Sequence, residues 1–234
     1  MIVALATLEK VGIFVVGGLV RVGIFLAVVA ALAIPLIAVA WAINRVRERR
    51  RRALGLHVVR GVTVRPGVHY SPNHVWLARR GEGAVQVGVD DLALRLLPAV
   101  TAVEAVRTGA RVKRGDPIAT LWGGGRQLAV RAPFDARIAG VNAAVIRNPS
   151  LVRSDGYGDG WLVALEPADD HWKSFPADAA ADGWIATEAK RWNDLIERQL
   201  GIAAADGGEL VSPAPWIIGE DCWRALAAAF TESA

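Results

Sequence analysis

The chain has 234 residues, 53% of them hydrophobic and 21% charged, and a mean hydropathy of +0.31, high for a wholly soluble protein; that length holds a membrane segment plus one domain of roughly 100 to 150 residues and excludes a large multidomain enzyme. The net charge of +4 comes from one tract: residues 45–52 (RVRERRRR) carry six Arg and one Glu, while residues 53–166 hold fourteen Lys/Arg against nine Asp/Glu and residues 167–234 hold five against twelve, which is not the basic stripe of a nucleic-acid binder. A single cysteine, Cys222, and four scattered His with no CxxC or HExxH spacing exclude a disulfide-stapled or zinc-built fold.

Residues 1–21 are apolar but contain Glu9, Lys10, Gly17, Gly18 and Arg21. They read as an interfacial or partner-packed segment, because a second span would require a hairpin with almost no loop at Arg21. Residues 22–44 then run without a charge, long enough at about 1.5 Å per residue to cross a hydrocarbon core of roughly 30 Å. This is the expected transmembrane helix, kinked near Pro35, with Trp41 at the interface. Ala38-Val39-Ala40 resembles a cleavage site, but the run is too long for a signal-peptide core and Arg-rich sequence follows at once, so the anchor is expected to remain uncleaved. Arg45, Arg47, Arg49, Arg50, Arg51 and Arg52 place the remainder of the chain on the cytoplasmic side of an inner (plasma) membrane and, with Trp41, are the expected lipid contacts.

After a linker to residue 67 (Gly61, Pro66 and Gly67), short Val/Leu/Ala-rich runs alternate with Gly, Pro and Asp, the pattern of small antiparallel sheets. The expected strands are 75–79, 84–89, 99–106, 116–122, 127–132, 136–142 and 161–167. The expected helices are 90–97, capped by Asp90 or Asp91 and stopped by Pro98, and a short turn around 148–152. Gly109 to Gly115 reads as a loop. Asp90 and Asp91 could pass for paired acid catalysts, but a helix cap accounts for them. No Ser/His/Asp or Cys/His arrangement is legible, so neither an active site nor a small-molecule substrate is expected.

The last sixty or so residues hold five of the nine tryptophans: Trp172, Trp184, Trp192, Trp216 and Trp223. Residues 187–200 read as a helix with Ala189, Trp192, Leu195 and Ile196 on one stripe, residues 219–230 as a second with Glu220 and Asp221 in its first turn, and residues 205–216 as a turn-rich connector. Two readings stand. The tryptophans either cover the β domain and extend its core, or form a docking face for a basic partner, with Trp184, Trp192, Trp216, Trp223 and Arg21 as interface candidates.

Five blocks in the middle of the chain stand in an informative order: Tyr70-Ser71-Pro72-Asn73-His74-Val75-Trp76, GAVQVGVDD (83–91), GARVKRGD (109–116), APFDARIAGVNAAV (132–145) and NPSLVRSDGYGDGWL (148–162). In that order and spacing the stretch 68–172 resembles the glycine cleavage system H protein family. The resemblance implies a barrel-sandwich hybrid of two small facing sheets. It also implies a carrier whose lipoyl group, on a lysine at a hairpin tip, shuttles an aminomethyl unit and two electrons between partner enzymes. The family lysine falls eight residues before the position of Pro133, which here is Gly125, and the tip reads Leu121-Trp122-Gly123-Gly124-Gly125-Arg126-Gln127. Lys10, Lys113, Lys173 and Lys190 all lie elsewhere in sequence, and the guanidinium of Arg126 does not form the lipoyl amide. Gly123, Gly124 and Gly125 are therefore expected to close a plain β-turn with no bound cofactor. His74 and Trp76 are expected to pack, with a local hydrogen bond, at the start of the sheet; His69 and His74 are not a metal pair.

The function expected from all this is a non-catalytic, membrane-anchored accessory or scaffold subunit of an integral membrane complex. The alternatives are a lipoyl carrier of one-carbon or sulfur metabolism modified at another lysine, and a membrane-fusion-type transport adaptor. The last calls for a non-cytoplasmic domain and a long helical hairpin, which the sequence does not suggest.

Overall fold

The computed structural model describes residues 2–81, 83–200 and 218–232, with side chains from Arg21 onward except at positions 23, 47, 51 and 200. The connector 205–216, and Trp216 with it, lies outside the described residues, and Arg47 and Arg51 are described as helical backbone only. Two compact units result, Met1–Arg50 and Arg51–Ala234.

In the first, one uninterrupted helix α1 (Ile2–Ala53) replaces the separate segment and span expected from sequence. Gly17 and Gly18 each cost about 1 kcal/mol relative to Ala in a helix interior, too little to break a long run of good helix formers. The helix therefore passes straight through Arg21, which removes the hairpin alternative. Its stretch Ile24–Arg50 is long and apolar enough to cross a membrane, and Leu32, Leu36 and Trp41 are all exposed. Pro35 lies inside it. The helix ends at a glycine in left-handed geometry, Gly55 at φ +65°, whose amide reaches back to Arg52 O at 3.0 Å.

The second unit is mainly β. A hairpin of β1 (His57–Val59) and β2 (Val62–Val64) precedes a six-stranded antiparallel sheet made of β3 (His69–Tyr70), β4 (Val75–Arg80), β5 (Ala84–Val89), β11 (Val163–Pro167), β10 (Ala136–Val141) and β7 (Arg111–Val112), in that spatial order. A three-stranded sheet of β6 (Ala102–Ala105), β8 (Pro117–Gly123) and β9 (Arg126–Arg131) shares its core. Trp76, Leu77, Val87, Ile138 and Leu165 of the larger sheet and Ile118, Leu121 and Leu128 of the smaller are buried in one cluster. All seven longer strands fall within three residues of their expected bounds, and β5 matches them. The two- and three-residue strands β1, β2, β3 and β7 went unread, since alternation needs more residues to register; β7 lies inside what reads as the 109–115 loop.

Between the strands, α2 (Asp91–Leu94) is capped by Asp90, whose carboxylate accepts Ala93 N at 2.9 Å, and the chain continues to Leu97 in turns. Helix α3 (Ala143–Arg147), capped by Asn142, was not expected, and α4 (Leu151–Ser154) stands near the expected turn. Helix α5 (Asp178–Leu200) begins nine residues before the expected start. It buries Ala181, Ile185, Ala189, Trp192 and Ile196 along one face. Helix α6 (Glu220–Thr231) buries Cys222, Trp223, Leu226 and Phe230.

The tail therefore packs into the core of the β domain. Trp172, Trp192 and Trp223 are no more than 8% exposed and Trp184 is half-buried, so Trp192 and Trp223, two of the interface candidates, are spent on the chain's own core. Hydrophobic burial drives this, because full burial of a large side chain is worth roughly 1.5 to 3 kcal/mol. Arg21 remains exposed on α1.

One cross-strand pair fixes the register of the larger sheet. Trp76 stands opposite Gly88, and a Cβ at Gly88 would lie 2.4 Å from the indole ring. Gly88→Ala is therefore expected to cost about 2 kcal/mol, the usual penalty of an overpacked core, read as a lowered urea midpoint with an unchanged m-value.

Candidate functional site

The hairpin tip joins β8 to β9. Gly123 and Arg126 are paired across it, and the two residues between them, Gly124 and Gly125, sit at φ +59° and +78°. Two consecutive left-handed residues make a type I′ turn, whose twist matches that of the strands it joins. The glycines serve different ends. A Cβ at Gly123 would meet Ala99 O at 1.7 Å and one at Gly124 would meet Pro98 Cγ at 2.4 Å, whereas a Cβ at Gly125 would meet nothing within 4 Å. The first two let the tip press onto the Leu97–Ala99 segment; the third is needed only for its backbone angle.

Arg126 ties that tip to the C-terminal helix. Its Nη2 donates to Ile218 O at 2.5 Å, its guanidinium lies 5.4 Å from the Trp223 ring centroid, and Glu220 stands 3.9 Å away. Trp223 in turn donates its indole N–H to Leu96 O at 2.7 Å. Helix α6 thus bridges the turns after α2 to the first residue of β9. Lysines stand apart from this site: β8 is seven residues long, so its ends are about 20 Å apart, and Lys113 belongs to the turn before its far end. Lys173 pairs with Asp170 at 2.6 Å, and Lys190 lies on α5.

A second cluster lies behind the same helices. His74 is fully buried and holds φ +58°, a left-handed angle uncommon for a non-glycine residue. Its Nδ1–H donates to Asp90 Oδ2 at 2.7 Å and its Nε2–H reaches Glu188 Oε2 at 3.4 Å. Trp184 and Phe230 flank the ring at 5.0 and 5.2 Å between centroids. Arg191 completes the cluster, pairing with Glu188 at 3.2 Å and donating to Ala229 O at 3.0 Å. Burial by itself depresses an imidazole, but the charges and hydrogen bonds of Asp90 and Glu188 prevail and push His74 up to about 9. Glu188, which burial would raise, is held below the ordinary carboxylate value by its hydrogen bond to His74, the His74 charge and Arg191.

An imidazole in that state is an imidazolium at neutral pH. It has no lone pair with which to act as a base, and both its N–H groups are committed to carboxylates. Asp90 caps α2 as expected, and Asp91 accepts Thr63 N at 3.0 Å and pairs with Arg95 at 3.4 Å. The Nδ1–H of His69 donates to Phe175 O at 2.8 Å. Among the described residues no group of three or more His, Cys, Asp or Glu is placed to hold a metal ion. The sequence reading gave His74 a packing role with a local hydrogen bond; it missed Glu188, Arg191 and Phe230, which lie more than 100 residues away in the chain. The only signal for Glu188 was its place among charges on a helix, which solvent would equally explain. Of the expected lipid contacts, Trp41, Arg45, Arg49, Arg50 and Arg52 are exposed on α1, with the Arg45 guanidinium 5.3 Å from the Trp41 ring centroid.

The cluster makes stability depend on pH in a fixed direction. Because His74 is raised from 6.5 to about 9 on folding, its contribution is complete below pH 6.5 and lost as pH rises through 9; at about 1.4 kcal/mol per unit it is on the order of 3 kcal/mol. Glu188, lowered from 4.5, contributes above pH 4.5 and loses its share as pH falls. The thermal midpoint of the full chain in mild detergent should plateau between these limits and decline from pH 6.5 to 9.5, and His74→Gln should flatten the alkaline decline. A wild-type midpoint constant over that range would show that the imidazolium is not there.

The family model described as Glycine cleavage H-protein matches residues 68–188, running past Trp172 into α5 and ending at Glu188. A glycine cleavage system H protein of Pseudoalteromonas atlantica is 39% identical over 103 residues, 44% of this chain and 79% of that one. One from Mycobacterium sp. (strain KMS) is 32% identical over 124 residues, 52% of this chain and 95% of that one. The crystal structure of a glycine cleavage system H protein from Mycobacterium marinum aligns with 22% identity and a TM-score of 0.46 over 53% of this chain and 98% of that chain. With its family match covering half of its length, this chain belongs to the glycine cleavage H-protein family.

Proposed function

We propose that this chain is a non-catalytic, membrane-anchored accessory subunit, an H-protein domain that serves as a scaffold for an integral membrane complex and carries no lipoyl group. The observation that carries this reading is the hairpin tip. Where the family resemblance calls for a lysine there is Gly125, inside a type I′ turn whose neighbours press on Pro98 and Ala99. An attached arm must swing, and this tip is instead fastened through Arg126 to α6. Support for the anchor comes from the exposed apolar stretch Ile24–Arg50 and the arginines at its end, which favour an inner-membrane helix with the β domain on the cytoplasmic side. Loss of the arm leaves a rigid β module suited to holding partners.

The test is to isolate the native chain from membranes in mild detergent and to read its intact mass together with its stoichiometric companions. The expected result is the unmodified mass and a stable set of integral membrane proteins. A lipoyl increment mapped to Lys10, Lys113, Lys173 or Lys190 would overturn the scaffold reading in favour of a carrier. Protease digestion of sealed cells should leave the β domain intact; its loss would place the domain outside and favour a transport adaptor.

A further inference from the structure

The six-stranded sheet ends at β7, which among the described residues pairs on one side only, with β10. Ile138 donates its amide to Ala110 O at 2.8 Å. Since bonded and unbonded positions alternate along an antiparallel ladder, the N–H and C=O of Arg111 face away from β10. Inward from this edge a groove of about 550 Å³ crosses the ends of three strands, lined by Arg111 and Val112 of β7, Ala136 and Arg137 of β10, and Glu166 and Pro167 of β11.

The charges around the groove are unevenly committed. Its carboxylates are engaged within the fold: Asp135 accepts Arg114 N at 2.7 Å, Asp116 accepts Lys113 N at 2.8 Å, and Glu166 takes Arg137 Nε at 2.8 Å. The side chains of Arg107, Arg111, Lys113 and Arg114 are exposed and meet no carboxylate among the described residues. Four uncommitted cations within eight residues therefore border an unpaired strand edge.

We propose that this edge is a docking site for an acidic, extended segment of a partner protein. The segment adds a strand beside β7, exchanges hydrogen bonds with the outward N–H and C=O of Arg111, and sets its carboxylates against Arg107, Arg111, Lys113 and Arg114. The backbone decides between a peptide and other polyanions. A nucleic acid or an anionic lipid headgroup can use the cations, but it leaves the outward donor and acceptor to water, and four cations fall short of the roughly six to ten phosphate contacts of a typical nucleic-acid binder. The groove lies at the end of β8 away from the hairpin tip, so the proposal stands whether or not the chain carries a lipoyl group.

The experiment uses the full chain in phosphatidylcholine nanodiscs, titrated with a short fluorescein-labelled peptide of alternating Glu and Thr. The matching Lys/Thr peptide, a short single-stranded DNA and phosphatidylglycerol vesicles are the comparators. Saturable binding of the Glu/Thr peptide alone is expected, with slowed amide hydrogen exchange over residues 109–113 of the wild-type chain. Joint Arg111→Glu and Lys113→Glu substitution should weaken the peptide by at least about tenfold, as charge reversal at a complementary interface does, and leave the thermal midpoint in place because both side chains are exposed. No peptide binding, unchanged affinity in the double variant, or DNA or vesicle binding without protection at 109–113 would each overturn the proposal.

Discussion

The buried imidazolium of His74 is the point on which the second unit of this protein depends. A charge taken out of water is costly, and a left-handed angle at a residue with a Cβ adds roughly 1 to 2 kcal/mol. Both costs are tolerated because three elements converge on one ring: Asp90 at the cap of α2, Glu188 on α5, and Phe230 on α6. Asp90 serves twice, since it accepts Ala93 N as a cap and a histidine proton as a counterion. Without the imidazolium, Asp90 would be a fully buried charge, and Glu188 would keep only its pair with Arg191. The cluster therefore makes the docking of the C-terminal helices cooperative with the start of the sheet, and adjacent Asn73 extends the linkage by donating to Arg131 O on the smaller sheet at 2.8 Å.

The hairpin inherits its setting from this arrangement. Once Phe230 is seated against His74, α6 lies with Trp223 over Leu96 and with Ile218 and Glu220 beside Arg126. The tip is then held between the turns after α2 and the C-terminal helix. Where Gly123 and Gly124 are concerned, glycine is enforced by close approach: no side chain fits against Ala99 and Pro98. On the proposed reading, a family hairpin built to present a mobile arm has become a fixed joint between sheet and helix. Its counterpart at the other end of β8, the edge at β7, stays open.

Most of the β framework was legible from the residues. The short Val/Leu/Ala-rich runs of β4, β5, β8, β9 and β10 and the turn residues between them report local geometry, because strand preference and backbone angle are properties of neighbouring residues. That a tight turn closes the tip was legible for the same reason, from three consecutive glycines; its type I′ form, with Gly123 inside β8, came from the structure. Other features escaped. Strands of two or three residues carry no period, α3 hides behind the strand pattern that runs into Asn142, and the start of α5 at Asp178 precedes the stripe at Ala189 because Ala181 and Ile185 alone make a faint signal.

Composition, hydropathy and the charge tract determined that the chain carries one long apolar segment beside a mainly β domain, and motif order determined the family, since these depend on residue type and spacing alone. Tertiary structure decided the rest. Whether the tryptophans of the tail face a partner or the chain's own core is a question of what lies across from them, and Trp192 and Trp223 are buried because α5 and α6 fold back onto the sheet. The same holds for Glu188. On a helical stripe it reads as a solvated acid, and it becomes a counterion because the fold brings it within 3.4 Å of a histidine 114 residues earlier. Long-range pairing of this kind leaves no trace in local spacing, for the energy that selects it exists once the chain has closed.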